Sequence, residues 1–190
     1  MSVKTRMTLE EFLALPETEP ASEFVCGEVV QKAMPTAAHG LIQMALGALL
    51  LAFLRGTKTN GLVMSELRHF DRPEDRAYIP DISVFVGRRG VIGREQLFHG
   101  AVESIPDIAV EILSPGDRPG AVADKLAFYL RAGVPLVWIV DPETRRIDAH
   151  RPGVQSVSHE APDVMGGEPV LPGLAMDLGE LFSVLDELED

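Results

Sequence analysis

The sequence predicts an α/β fold, in which a mixed β-sheet is flanked by helices and extra β-structure follows toward the C-terminus. The main observation is a strand, a helix and a second strand in succession at 107–113, 121–132 and 134–140. This order is typical of two parallel strands joined by a crossover helix. An almost wholly apolar segment at 40–54 supplies a further core helix, and shorter strand-like segments surround both.

Length and composition are those of an ordinary globular protein. The chain has 190 residues, of which 46% are hydrophobic and 24% charged, so we expect one folded domain. We place its core at about 8–150 and a C-terminal β extension with a helix at 151–190. The single cysteine, Cys26, excludes a disulfide framework and any CxxC metal site. It agrees with a cytoplasmic location.

The net charge argues against strong binding to nucleic acid. Seventeen Lys and Arg stand against 29 Asp and Glu, which gives −12. DNA-binding proteins usually carry a basic surface because phosphate contacts supply most of their affinity. We therefore expect DNA affinity to be weak or assisted by a partner. A local basic groove stays compatible with the sequence, because several acids collect at the C-terminus: Asp177, Glu180, Asp186, Glu187, Glu189 and Asp190.

The N-terminal third predicts a helix, a strand pair and a second helix. Thr8 and Glu11 form a capping box that opens a short helix, and Cys26 with Gly27 makes a turn between two short strands. The segment 39–54 is apolar nearly all the way round, so we expect this helix to be covered on most sides. Its apolar run is shorter than the roughly 20 residues that cross a bilayer. No membrane span and no signal peptide are expected.

The remaining elements follow from strand periodicity and turn residues. We expect strands at 62–70 and 78–86 around a charged turn, an antiparallel strand at 146–150, weaker β-structure at 155–170, and a final helix after Leu178. Gly133 is expected to end the crossover helix.

Two predicted strands carry a carboxylate in an otherwise apolar run. These are Asp81 and Glu111, and burying an unpaired charge is costly. Strand alternation places Glu111 and Leu113 on one face. If the two strands are neighbours, both carboxylates could hold one hard cation, Mg²⁺ or Mn²⁺, with their oxygens about 5–6 Å apart. The alternative is that each acid lies at a strand end, exposed or paired with an arginine.

A lysine on the crossover helix could join these acids. Lys125 shares a face with Val122 and Tyr129, and this face should turn toward the sheet, where the ammonium would stabilise negative charge. The alternative is a surface lysine paired with Asp124 or Asp117. For His39, helix capping or a surface position is the preferred interpretation.

The order of these motifs resembles a bacterial family of restriction endonucleases assigned to the PD-(D/E)XK nuclease superfamily. The similar segments are SEFVCGEVV followed by His39, YIPDISVFV, PDIAVEILSP, the DK pair with Tyr129, and AGVPLVWIVDPE. The resemblance covers about residues 8–150. It implies a restriction-endonuclease-like fold and a Mg²⁺-dependent endodeoxyribonuclease that hydrolyses DNA phosphodiester bonds. It also implies a homodimer.

The resemblance assigns roles to individual residues. It makes Asp81 the motif aspartate and Glu111 the acid of the (D/E)-X-K element, with Glu28 as a further metal ligand and the carbonyl of Ile112 as another. Where the superfamily places its lysine, this chain has Leu113, so the resemblance implies that Lys125 takes that role. Two positions depart from the family pattern: Ile79 stands where arginine is common, and Val137 where an aromatic residue is common.

A second function remains open, namely a binding or regulatory protein that keeps the fold without cutting DNA, because fold does not fix function. An acidic or apolar rim around the site would favour that alternative. A basic rim would favour the nuclease, and the candidates for it are Arg68, Arg72, Arg76, Arg88, Arg89 and Arg118.

Overall fold

The structure is a computed structural model that describes residues 6–87, 92–93, 96, 98 and 100–186. The helices within these residues are α1 (Leu9–Leu13), α2 (Ala37–Gly56), α3 (Pro119–Ala132) and α4 (Leu178–Ser183). The strands are β1 (Ser22–Val25), β2 (Glu28–Gln31), β3 (Gly61–Ser65), β4 (His69–Asp71), β5 (Arg76–Tyr78), β6 (Ile82–Val86), β7 (Ile108–Ile112), β8 (Leu136–Asp141), β9 (Arg146–Arg151), β10 (Val154–Glu160), β11 (Val164–Gly167) and β12 (Leu171–Asp177).

The strands form a large mixed sheet and two smaller antiparallel ones. The large sheet has the order β10-β9-β8-β7-β6-β3, the second sheet has the order β2-β1-β5-β4, and β11 pairs with β12. Strands β7 and β8 are parallel and are joined through α3, whereas β6–β7 and β8–β9 are antiparallel. The predicted crossover unit and the mixed sheet flanked by helices are therefore confirmed.

Helices cover both faces of the large sheet. On one face α2 and α4 pack against the inward residues of β6, β7 and β8, including Trp138, which is fully buried. On the other face α3 packs through Phe128 and Tyr129. Alternation along the strands separates these two apolar clusters, because Val110 points to α2 while Ala109 points to α3.

Several predicted elements agree closely with the structure. The capping box of Thr8 and Glu11 opens α1, and Gly133 ends α3 with a positive φ of 93°, a conformation that favours glycine. Arg146–Arg151 is antiparallel to β8 as expected. The C-terminal β-structure extends further than predicted, because β12 follows β11 before α4 begins.

Two predicted strands are each split between two sheets. The segment 62–70 is β3 in the large sheet and then β4 in the second sheet. The segment 78–86 contains the last residue of β5, in the second sheet, and then β6 in the large one. The breaks occur at 66–68 and 79–81. Both connections therefore lie where the two sheets meet.

Helix α2 differs from its prediction in length and in burial. It has 20 residues, so by length and composition alone it could cross a membrane. However, a single stripe of it packs against the sheet, as in the core helix of a globular protein, and this stripe includes Ile42, Leu46 and Leu50. The expectation that it is covered on most sides is wrong, since Met44 on the opposite side is 75% exposed.

Candidate active site

A cavity of about 310 Å³ lies where the large sheet meets the second sheet. Its walls come from β1, β2, β7, the start of α2 and the first turns of α3. The chain passes from β5 to β6 at this place through Ile79, Pro80 and Asp81. The Ile79 N–H donates to Oε1 of Glu23 on β1, and the Asp81 N–H donates to the carbonyl of Val110 on β7. The segment 79–81 therefore ties both sheets to the cavity.

The structure brings Asp81 and Glu111 to the same face of neighbouring strands. Strands β6 and β7 pair with Ile82 opposite Val110. The residues next to this pair are Asp81, which directly precedes β6, and Glu111 of β7. Both side chains line the cavity and both are buried, with 2% and 9% of their surface exposed. The alternative of exposed strand-end acids does not apply to either residue.

Asp81 is held by three donors from different elements. Its Oδ2 accepts the Ile112 N–H at 2.6 Å. Its Oδ1 lies 2.8 Å from the Lys32 ammonium and 3.5 Å from Nε2 of His39. Burial alone would raise the pKa of Asp81, but the His39 hydrogen bond and the Lys32 charge outweigh burial and hold that pKa well below its usual range.

Glu111 contacts two residues of α3. Its Oε2 accepts from the Lys125 ammonium at 2.8 Å, and its Oε1 accepts from the Tyr129 hydroxyl. Lys125 also lies 2.8 Å from Glu23. Its side chain is only 17% exposed, and neither Asp124 nor Asp117 pairs with it among the described contacts. The i, i+4 spacing of Lys125 and Tyr129 explains why both reach the same carboxylate.

Burial and charge act in opposite directions on the Glu111–Lys125 pair. Burial raises the pKa of Glu111 to about 7, although the Lys125 charge opposes this. Burial disfavours the charged form of Lys125 as well, but Glu111 and Glu23 outweigh it and raise the pKa of Lys125. Lys125 therefore stays an ammonium across the physiological range.

His39 belongs to the site, contrary to the preferred sequence interpretation. Thr36 caps its backbone N–H at the start of α2, but its ring is buried between Asp81 and the hydroxyl of Ser114, with Nδ1 3.2 Å from Ser114 Oγ. Ligand atoms of His39, Glu66 and Asp81 all lie within 4.8 Å of one another. Such a group could hold one metal ion.

The other predicted metal ligands have less direct positions. Glu28 lines the cavity but is an exposed residue of β2. Ile112 directs its N–H to Asp81, and because N–H and C=O of one strand residue point the same way, its carbonyl faces that side too. Leu113 is partly buried against the apolar cluster under α3, so no ammonium is supplied from this position.

Sequence reasoning missed four residues of the site. Glu23 pairs with Lys125, Lys32 pairs with Asp81 and Glu66, and Tyr129 donates to Glu111. Glu23 carries a usable signal, because it is a carboxylate within a short strand, like the two acids that were singled out. Lys32 and Glu66 lie in connections, where charged residues are ordinary.

The predicted basic rim is only partly present. Arg68 lies 2.5 Å from Glu17, and Arg72 pairs with Glu10 and Glu103. Arg76 and Arg118 do line the cavity. The remaining two candidates, Arg88 and Arg89, lie outside the described residues.

The described lining of the cavity is more acidic than basic. The acids are Glu23, Glu28, Asp81, Glu111, Asp117 and Asp124, and the cations are Lys32, Arg76, Arg118 and Lys125, with His39 beside them. This balance suits a cation better than an isolated phosphate group.

Comparison with known proteins agrees with this geometry. No curated protein matches the sequence. A solved structure described as "a putative nuclease belonging to DUF820", from Anabaena variabilis, superposes with a TM-score of 0.81 and 32% sequence identity, over 94% of this chain and 99% of that one. The likeness confirms the restriction-endonuclease-like fold. The sequence profile of the Uma2 family, described as "Putative restriction endonuclease", matches residues 9–179. The chain therefore belongs to the Uma2 family.

Proposed function

We propose that this chain is a divalent-metal-dependent endodeoxyribonuclease that hydrolyses phosphodiester bonds of DNA. The observation that supports this most is the pairing of two buried carboxylates, Asp81 and Glu111, beside the buried ammonium of Lys125 in one open cavity. Burying carboxylates and a lysine costs free energy, and a cluster of buried charged residues of this kind is typical of catalytic sites. Membership of a restriction endonuclease family and the similarity to a nuclease structure support the same class.

The residues present suit Mg²⁺ or Mn²⁺. The candidate metal ligands around Asp81 are carboxylate oxygens and a strand carbonyl, which are hard ligands, with one imidazole beside them. Asp81, Glu111 and the Ile112 carbonyl would hold the ion, with Glu28 on the cavity wall completing the set. When bound, such an ion lowers the pKa of water and offsets charge on the scissile phosphate.

The protein's own groups have separate tasks in this proposal. Lys125 presents a permanent positive charge from a largely buried side chain, where it would orient water or stabilise the negative charge that develops on the phosphate. Tyr129 and Lys125 together fix the orientation of the Glu111 carboxylate. Asp81 is oriented by the Ile112 N–H.

Plasmid cleavage tests the proposal directly. Purified protein is incubated with supercoiled plasmid in Mg²⁺, Mn²⁺ or EDTA, with single-stranded DNA and RNA as parallel substrates. Glu111→Gln keeps the shape of the side chain but removes its charge, so we expect nicking to fall by about a hundredfold or more. The same change should reduce the rise in melting temperature that Mg²⁺ causes in the wild type.

Glu143→Gln is the matched control, because Glu143 is exposed in the turn between β8 and β9. It removes the same charge and should cut like the wild type. Equal nicking by Glu111→Gln and the wild type would place the activity elsewhere. Absence of metal-dependent nicking by the wild type would reject a nuclease that acts without a partner.

A non-catalytic protein that keeps the nuclease fold is the second candidate. The observation that favours it is the acidic lining of the cavity, together with a net charge of −12. Such a protein would bind a metal ion and leave the plasmid intact. A nuclease whose partner supplies the DNA affinity would instead regain cleavage when that partner is added.

Domain organisation, assembly and location remain predictions. We propose that residues 1–190 act as one domain, because one apolar cluster contains residues from both the core and the C-terminal extension, such as Ile42 and Phe182.

A homodimer would place two sites on one duplex, and sedimentation would detect it. A cytoplasmic location is expected from the single cysteine.

A further inference from the structure

Lys32 lies inside the candidate site, and its ammonium makes a full set of hydrogen bonds. It follows β2, and its backbone N–H is fixed to the carbonyl of Ala21. Its ammonium donates to Asp81 Oδ1 at 2.8 Å, to Glu66 Oε2 at 2.9 Å and to the carbonyl of Ile79 at 3.1 Å. An ammonium has three protons to donate, so these three oxygens satisfy it completely.

The contacts of Asp81 leave few positions for another cation. Its Oδ2 already accepts the Ile112 N–H. Its Oδ1 is the atom that faces Lys32 and His39. An ion that uses Oδ1 would therefore sit close to the Lys32 ammonium, and the two like charges would repel strongly in this buried place.

The same ammonium lies among the side chains that could together bind a metal ion. His39, Glu66 and Asp81 could share one ion, and Lys32 is bonded to two of these three residues. Lys32 lines the cavity, and its long side chain gives the ammonium a route into it while the backbone stays anchored.

We propose that Lys32 is a tethered cation that competes with the divalent metal ion for Asp81. The ion binds only when the ammonium withdraws into the cavity, so Lys32 keeps the affinity for metal low. This inference rests on the proposed function, since the ion concerned is the one at Asp81. Lys32 is thus a gating residue for metal binding, distinct from Lys125, which pairs with Glu111 and Glu23.

Titration calorimetry with MnCl₂ tests this role without reference to activity. Lys32→Met keeps most of the stem and removes the charge, and we expect it to bind Mn²⁺ more tightly than the wild type by on the order of tenfold or more. Lys32→Gln keeps a neutral donor for Asp81 and should show the same direction if Lys32→Met fails to fold. Melting without metal reports on folding.

Lys58→Met is the matched control, because Lys58 is exposed beyond the end of α2 and lines no part of the cavity. It changes the net charge equally and should leave the affinity for Mn²⁺ unchanged. If both Lys32 variants bind Mn²⁺ no more tightly than the wild type, the proposed competition by Lys32 is wrong. It is also wrong if Lys58→Met binds Mn²⁺ more tightly than the wild type, since net charge would then account for the effect. Metal-dependent plasmid cleavage by the wild type would then leave the nuclease proposal standing by itself.

Discussion

His69 is a buried histidine whose two ring nitrogens are both hydrogen-bonded. Nδ1 lies 2.9 Å from the carbonyl of Ser104, and Nε2 lies 2.8 Å from the hydroxyl of Ser83. Because a carbonyl can only accept, Nδ1 carries the proton and Nε2 accepts from Ser83. The neutral ring is therefore fully satisfied, and burial lowers the pKa of His69 to about 4.

This lowered pKa predicts a loss of stability in mild acid. Between pH 6.5 and 4 His69 binds a proton in the unfolded chain but stays neutral in the folded chain. The free energy of unfolding therefore falls as the pH falls. Going from pH 7 to pH 5, His69 should cost about 2 kcal/mol. His69→Gln preserves a donor and an acceptor, and urea unfolding at both pH values should show a pH-dependent loss smaller by that amount.

His159→Gln, in the edge strand β10, serves as the control and should keep the wild-type pH dependence. If the wild type and His69→Gln lose the same free energy of unfolding between the two pH values, His69 binds its proton equally well in the folded and the unfolded chain. The lowered pKa would then be wrong.

At the residue scale, the predictable part of the site is the part that lies within a strand or directly before one. Asp81 and Glu111 stand out because a charge interrupts an apolar run, and Glu23 could have been found by the same rule. Lys32 and Glu66 could not, because Lys32 lies 49 residues from Asp81 and 34 residues from Glu66 in the chain. Only the meeting of the two sheets brings them together.

Two neighbouring buried tyrosines, Tyr129 on α3 and Tyr78 on β5, differ in one hydrogen bond. The Tyr129 hydroxyl donates to Glu111. Tyr78 on β5 packs against Tyr129, with ring centroids 5.2 Å apart. Within the described residues, the buried Tyr78 hydroxyl has no hydrogen-bond partner. Both rings belong to the same apolar cluster, so the pair isolates the effect of the hydrogen bond.

We expect Tyr129→Phe to destabilise the protein and Tyr78→Phe to leave stability unchanged or higher. Tyr129→Phe leaves a buried carboxylate oxygen without its donor, which costs about 1–3 kcal/mol. Tyr78→Phe removes a polar atom that is already unsatisfied. Urea unfolding measures both, and a larger loss in Tyr78→Phe would mean that its hydroxyl has a partner, such as a bound water.

At the element scale, sequence periodicity located helices and strands but not the sheet to which each strand belongs. The segments 62–70 and 78–86 are each predicted as one strand, although each crosses from one sheet to the other. Pro80 lacks the N–H that would continue a strand ladder. Even so, only the pairing partners, such as β1 for β5, decide where the crossing lies. Local propensity holds no information about these partners.

At the scale of the whole molecule, few cations among the described residues are available for DNA. Arg68 and Arg72 form ion pairs with acidic residues. Arg76 stacks on Phe128, with its Cζ 4.8 Å from the ring centroid. Arg118 is exposed at the start of α3, where it makes no capping hydrogen bond and lines the cavity. The first turn of α3 contains no acid, so its free N–H groups and dipole also favour a phosphate there.

Arg118→Ala should therefore weaken DNA binding without affecting the metal ion. We expect lower affinity for a short duplex in fluorescence anisotropy, and a plot of log affinity against log salt whose slope is shallower by about 1. The Mn²⁺ affinity should stay unchanged, because Arg118 contacts none of the proposed ligands in the described structure. Arg55→Ala removes the same charge from the exposed end of α2, outside the cavity, and should alter neither quantity. If both variants lose DNA affinity equally, the net charge of −12 governs binding, and the duplex does not approach the site along the N-terminus of α3.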